Sequence, residues 1–73
     1  MLTLYGTSAC HLCELAEALL SRRGEPFLEV DISESDALFE RYGVLIPVLR
    51  DEHGRELHWP FDEASLETFL RAA

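Results

Sequence analysis

The sequence predicts an α/β fold: a four-stranded mixed sheet flanked by helices, with elements in the order βαβ-α-ββα. Three observations carry that prediction. Apolar runs of strand length alternate with stretches of helical periodicity. Clusters of Gly, Pro, Asp and Ser punctuate the junctions between them. The last two strand-like runs are joined by Asp51-Glu52-His53-Gly54, a turn short enough to close a hairpin.

Leu2 to Tyr5 reads as the first strand, ended by Gly6-Thr7-Ser8. A helix follows from about Cys10. Leu12, Leu15, Ala16 and Leu19 recur at i, i+3, i+4 and i+7, with His11, Glu14, Glu17 and Ser21 on the other side. Arg22 and Arg23 suit the negative end of that helix, Gly24 is a natural C-terminal cap and Pro26 stops any continuation. Phe27 to Ile32 is the second strand, Leu28, Val30 and Ile32 alternating with Glu29 and Asp31. The Ser33-x-x-Asp36 pattern opens a short helix ending near Tyr42-Gly43. Val44 to Arg50 is a third strand interrupted by Pro47, and Arg55 to Trp59 returns as the fourth. Asp62 caps a last helix whose apolar stripe is Leu66, Phe69 and Leu70. No repeat or linker divides the chain, so residues 1–73 read as one domain.

This order constrains the geometry. The first two strands flank a helix and run parallel through a right-handed crossover. The last two are antiparallel. With the third strand antiparallel to the first, Pro47 falls beside Cys10 and the turn from Trp59 to Asp62 emerges at the same edge.

Composition narrows the function. Of 73 residues, 48% are hydrophobic and 27% charged, which is globular rather than disordered composition. Six basic against fourteen acidic residues leave a net charge of −8, the wrong sign for nucleic acid or an anionic membrane. All the cations are arginine, so lysine Schiff-base chemistry and a phosphate-loop lysine are excluded. No apolar run is long enough for a transmembrane helix, and the first residues lack the basic and apolar regions of a signal peptide. The cytoplasm is the expected compartment.

The chemistry lies in Cys10 and Cys13. A disulfide across so small a loop restrains the unfolded chain little, so a lone C-x-x-C points to catalysis or metal rather than to a staple. Both thiols stand at the start of a helix and within reach of one another. Cys10, at about the N-cap, faces unpaired amides and the positive pole, which lower a thiol below its ordinary value of about 8.5. Cys13, one turn inward beside Leu12 and Ala16, is expected to be buried. Cys10 is therefore the nucleophile and Cys13 the resolving thiol, with His11 as a modulating residue when protonated.

The strand, Cys10-His11-Leu12-Cys13 at a helix start, the βαβ-ββα order and Ile46-Pro47 opening the third strand together resemble the thioredoxin superfamily, most closely small bacterial glutaredoxin-like proteins. The resemblance covers the whole chain as topology and two short motifs as sequence. It implies a thioredoxin-like (glutaredoxin-like) fold and a thiol–disulfide oxidoreductase. It also implies a cis Ile46-Pro47 bond whose neighbouring backbone docks an extended substrate. Trp59 is expected to wall the same groove, and Asp62 to occupy the family's acidic position after Trp59-Pro60.

The chain departs from the family at three places. His11-Leu12 stands where glutaredoxins carry Pro-Tyr, uncharged Thr7-Ser8-Ala9 where a basic residue precedes the motif, and Trp59-Pro60 where two glycines precede the last helix. These departures weigh against glutathione. A disulfide-containing protein or another small thiol is the expected partner, with no resident cofactor and a monomeric chain. The residues leave one reading of a different class open: a non-catalytic module whose cysteine pair holds zinc or a subunit-bridging iron–sulfur cluster. Cys10-x-x-Cys13 and His53-x₄-His58 nominally supply two sulfurs and two nitrogens, but they are much farther apart than the ~12–15 residues of a zinc finger.

Overall fold

The computed structural model describes residues 1–71; the last two residues of the domain expected over 1–73 lie outside them. Its elements are β1 (Leu2–Gly6), α1 (His11–Arg23), β2 (Phe27–Asp31), a 3₁₀ turn (Ile32–Glu34), α2 (Asp36–Tyr42), β3 (Val48–Arg50), β4 (Glu56–His58) and α3 (Glu63–Arg71). The sheet order is β2-β1-β3-β4. β1 pairs parallel with β2 and antiparallel with β3, and β3 and β4 form the hairpin. The α/β order expected from the sequence is the order observed.

Alternation along the strands divides the core in two. On one face Leu2 and Leu4 of β1 and Leu49 of β3 pack against Ala16 and Leu20 of α1, Phe61, and Leu66 and Phe69 of α3. On the other, Val48 packs with Ile32 and Tyr42, flanked by Tyr5, Leu38 and Ile46. α1 and α3 cover the first face; the second has only α2, which is two turns long. That imbalance explains one correction. Leu28 alternates as expected but is 56% exposed, because it stands on the half of the second face that α2 does not reach. Phe27, on the opposite face, joins the core in its place.

The local signals that end α1 act as expected. Gly24 adopts φ 70° and its amide donates to the carbonyls of Leu20 and Ser21, with Arg22 and Arg23 in the last turn. The buried stripe is shifted, however. Cys13, Ala16 and Leu20 face the core, while Leu12 and Leu15 are each more than 40% exposed. Leu19 only packs against the rim of the cluster. The start of α2 also moves. Ser35, not Ser33, caps it, accepting from the Leu38 amide at 3.3 Å. Asp31 caps the 3₁₀ turn before it through the amide and hydroxyl of Ser33 at 2.9 and 2.7 Å.

The third and fourth strands are shorter than the apolar runs suggested. β3 begins only at Val48, because the amides of Leu45 and Ile46 both turn back to the Tyr42 carbonyl. β4 begins at Glu56, because Arg55 is drawn to Asp51, with Nε and Nη2 at 2.8 and 2.7 Å from its Oδ2. Nη2 of Arg55 also donates to the Phe69 carbonyl at 3.0 Å, tying the hairpin turn to α3. Burial opposes the charge on Asp51, but the Arg55 and His53 amides and the guanidinium outweigh it and hold the carboxyl below its ordinary range.

Candidate functional site

β1 ends at Gly6 and the chain turns through Thr7, Ser8 and Ala9 into α1. Ala9 takes φ 61°, a left-handed conformation unfavourable by about 1–2 kcal/mol for a residue with a side chain. The turn delivers Cys10 to the N-cap in extended conformation, φ −107° and ψ 104°. Its Sγ accepts a hydrogen bond from the Cys13 amide at 3.1 Å. One of the orphan donors of the helix start is thus satisfied by sulfur, the position at which an anion is favoured.

Cys10 and Cys13 form a disulfide, their α-carbons 5.2 Å apart. The two sulfurs differ in surroundings. Cys10 is half-buried at the surface of the loop, and Cys13 is 4% exposed beneath it. The space for Cys13 is made by Gly6: a β-carbon on that residue would stand 2.9 Å from the Cys13 sulfur and 3.2 Å from its Cβ. Only a residue without a side chain leaves the sulfur its place. The sequence reads Gly6 as part of the turn after the strand, whereas it is the last residue of β1 and forms this seat.

Both cysteines line a groove of about 490 Å³. Five carboxylates share it, Glu14, Glu17, Glu29, Asp31 and Glu34, and no arginine does. Glu29 of β2 faces Glu17 of α1, and the sharing of a proton between them, aided by burial, raises the Glu17 carboxyl above its ordinary 4.5. Asp31 is held below its ordinary value by the hydroxyl and amide of Ser33.

The other site residues expected from the sequence do not line this groove. The Ile46-Pro47 bond is cis. Pro47 is buried and directly precedes β3, whose first residue Val48 pairs with Tyr5; the register therefore runs Pro47 alongside Gly6. Ile46 is half-buried against the cluster of Ile32, Tyr42 and Val48. His11 is exposed and its Nδ1 stands 3.6 Å from Glu14. Trp59, whose bond to Pro60 is also cis, turns towards the core and meets Phe61 edge-on at 5.0 Å. Asp62 is engaged with α3: it accepts from the Ser65 amide and hydroxyl, both at 2.9 Å, while Ser65 Oγ accepts from the Asp62 amide. Those donors hold its carboxyl below the ordinary range. His53 lies in the hairpin turn, at the end of the sheet where the Met1 amine meets Glu52 and away from the cysteines. Among the described residues, no three His, Cys, Asp or Glu side chains converge as a metal site would require. Nor is any of their helices long and apolar enough to cross a membrane.

Known structures share this fold. A structural-genomics target protein from X. campestris, solved by X-ray crystallography, is 47% identical over 100% of this chain and 99% of its own, with a TM-score of 0.94. A protein of Nitrosomonas europaea, solved by NMR, is 27% identical over 93% of this chain and 87% of its own, at 0.78. A glutaredoxin from Archaeoglobus fulgidus shares the fold at a TM-score of 0.72, with 20% identity over 96% of this chain and 85% of its own. No curated protein matches the chain. The paired cysteines at a helix start fit a thiol–disulfide oxidoreductase family. The glutaredoxin-like domain family (DUF836) matches residues 1–71, nearly the full chain, and to that family within the thioredoxin superfamily this protein belongs.

Proposed function

We propose that the protein is a cytoplasmic thiol–disulfide oxidoreductase in which Cys10 attacks and Cys13 resolves. The observation that carries this reading is the asymmetry of the pair: Cys10 Sγ at the N-cap, accepting the Cys13 amide, and the Cys13 sulfur buried on Gly6 behind it. In the reduced protein the Cys10 thiolate attacks one sulfur of a substrate disulfide. That S–S bond breaks, the departing thiolate takes a proton, and a mixed disulfide remains on Cys10. The Cys13 thiolate then attacks Cys10 Sγ, releasing the second substrate thiol and closing the Cys10–Cys13 disulfide. Two electrons and two protons have passed to the substrate. An external thiol or dithiol restores the pair.

The backbone beside Ile46 and Pro47 is the surface on which an extended substrate docks, with Trp59 and Asp62 at its margin and His11 beside the nucleophile. The groove supports a thiol other than glutathione as reductant: glutathione carries net negative charge, and the lining offers it five carboxylates and no arginine. The reading is tested by oxidation of the fully reduced protein with insulin or hydroxyethyl disulfide. Stoichiometric loss of both protein thiols and gain of substrate thiols is expected. Unchanged protein thiols under excess disulfide would overturn it.

A further inference from the structure

Between the end of α2 and Pro47 lies Gly43-Val44-Leu45-Ile46, four residues with little of their own to hold them. Val44 is 97% exposed and Leu45 40%. The segment is instead secured to the residue before it. The amides of Leu45 and Ile46 donate to the Tyr42 carbonyl at 2.8 and 3.1 Å, and Ile46 packs against the cluster that holds Tyr42. Wherever Tyr42 sits, the run into Pro47 follows.

Tyr42 is itself fixed from the far edge of the sheet. It is 1% exposed, and its ring stacks on Tyr5 of β1 with centroids 4.4 Å apart and planes 15° from parallel. Its hydroxyl donates to Oε2 of Glu56 on β4 at 2.7 Å. The Glu56 carboxylate is in turn met by Arg41 Nη2 at 3.7 Å and by His58 Nε2 at 3.1 Å. One side chain therefore reaches from the central strand to the edge strand across Val48, while its backbone holds the segment ahead of Pro47. An acceptor that is charged and half-buried makes the hydroxyl contact stronger and more directional than one between neutral groups.

We propose that Tyr42 and Glu56 are positioning residues for substrate docking: their contact sets the place of residues 43–46 beside the cysteine loop. The proposal rests on the thiol–disulfide reading above. It predicts an effect on polypeptide substrates, which must lie along this segment, and none on a small disulfide that touches only Cys10.

The test measures single-turnover oxidation of the pre-reduced protein as a function of substrate concentration, with insulin and with hydroxyethyl disulfide. Tyr42→Phe keeps the ring stack and removes the hydroxyl. Glu56→Ala removes the acceptor, and Glu56→Gln keeps a neutral one. For insulin, Tyr42→Phe and Glu56→Ala raise the half-saturating concentration about three- to tenfold while the maximal rate stays within about twofold; Glu56→Gln recovers most of the loss. Hydroxyethyl disulfide and Cys10 alkylation are unaffected. Wild-type half-saturation in both disruptive variants overturns the proposal, as does an equal loss with both substrates, which marks a structural role alone. If Tyr42→Phe does not fold, Glu56→Ala and its rescue by Gln decide the matter. Failure of wild-type protein to react with either disulfide would instead remove the underlying function.

Discussion

The α-carbon of Gly6 faces the sulfur of Cys13 so closely that a methyl group placed there would lie 2.9 Å from Sγ. The contact joins the last residue of β1 to the first turn of α1, across the loop that carries Cys10. It makes the end of the strand part of the redox site.

Gly6→Ala is therefore expected to crowd a sulfur that the disulfide holds in place. Overpacking of this kind costs about 1–3 kcal/mol, and a 60–100-residue domain loses roughly 4–8 °C of melting temperature per kcal/mol. A free Cys13 thiol can rotate away from the methyl, whereas the disulfide cannot. The oxidised form therefore loses more, and the reduction potential rises by roughly 20–60 mV at 30 mV per 1.4 kcal/mol. Melting of both redox forms and equilibration with a dithiol buffer check this. An unchanged potential with equal melting losses would show that the crowding is relieved by the backbone.

Cys10 in the reduced protein is expected to alkylate roughly tenfold faster than Cys13 at pH 7, since the helix start favours its thiolate and burial shields its partner. Cys10→Ser abolishes disulfide reduction. Cys13→Ser leaves the substrate attached to Cys10, visible by mass as a stable mixed disulfide. Peptide mapping after a short pulse of reagent assigns the labelled sulfur; equal labelling would reverse or dissolve the assignment of roles.

Much of this arrangement was legible from the chain because its signals are local. A helix beginning at Cys10 and ending at Gly24 is written in caps and charges within one turn of each end, and the structure keeps both boundaries. The misreadings have a common origin in apolar residues whose partners are distant. Leu12 and Leu15 fit a helical stripe, but so do Cys13, Ala16 and Leu20, and only the position of β1 chooses between them. Val44 to Ile46 has the composition of a strand, yet a carbonyl three or four residues earlier claims its amides. Gly6 in a Gly-Thr-Ser run looks like any turn glycine, and nothing beside it announces the sulfur it accommodates. The Tyr42–Glu56 contact spans fourteen residues and follows only from the hairpin register.

Acid should reveal the Glu17–Glu29 pair. A carboxyl whose value is raised on folding favours the folded state when protonated, below 4.5, and loses that contribution as pH rises through its folded value. Once ionised, the Glu17 carboxylate is repelled by Glu29 and Glu14. Glu17→Gln is thus expected to stabilise the protein at pH 7 by about 0.5 kcal/mol, the scale of an exposed charge pair. The advantage disappears below pH 4.5, where the wild-type carboxyl is itself protonated. Thermal melts of both proteins from pH 3.5 to 7.5 follow the difference. A variant less stable than wild type at pH 7 would mean that Glu17 has a favourable partner instead.

The acidic groove should sort small disulfides by charge. Cystamine, a dication, is expected to oxidise the reduced protein faster than glutathione disulfide, an anion, at low ionic strength. Raising salt shortens the Debye length from about 10 Å at 0.1 M to about 3 Å at 1 M, slowing the first and speeding the second. Stopped-flow rates at several salt concentrations test this. Faster reaction of glutathione disulfide at low salt would show that local contacts outweigh the five carboxylates, and would restore glutathione as a partner.

β1 lies inside the sheet, with β2 on one side and β3 on the other. It is paired on both sides, so its amides are expected to exchange with solvent deuterium more slowly than those of the edge strands. Cys13 leans on Gly6 of β1 but belongs to the first turn of α1, so its sulfur is reached when the helix start parts from that strand. In Cys10→Ser protein, the modification rate of Cys13 would then report how often that seam opens, without denaturant. Cys10, on the loop above, would report the exposed surface in the wild-type reduced protein. One short motif thus carries two intrinsic probes, one for the loop and one for the seam between helix and sheet.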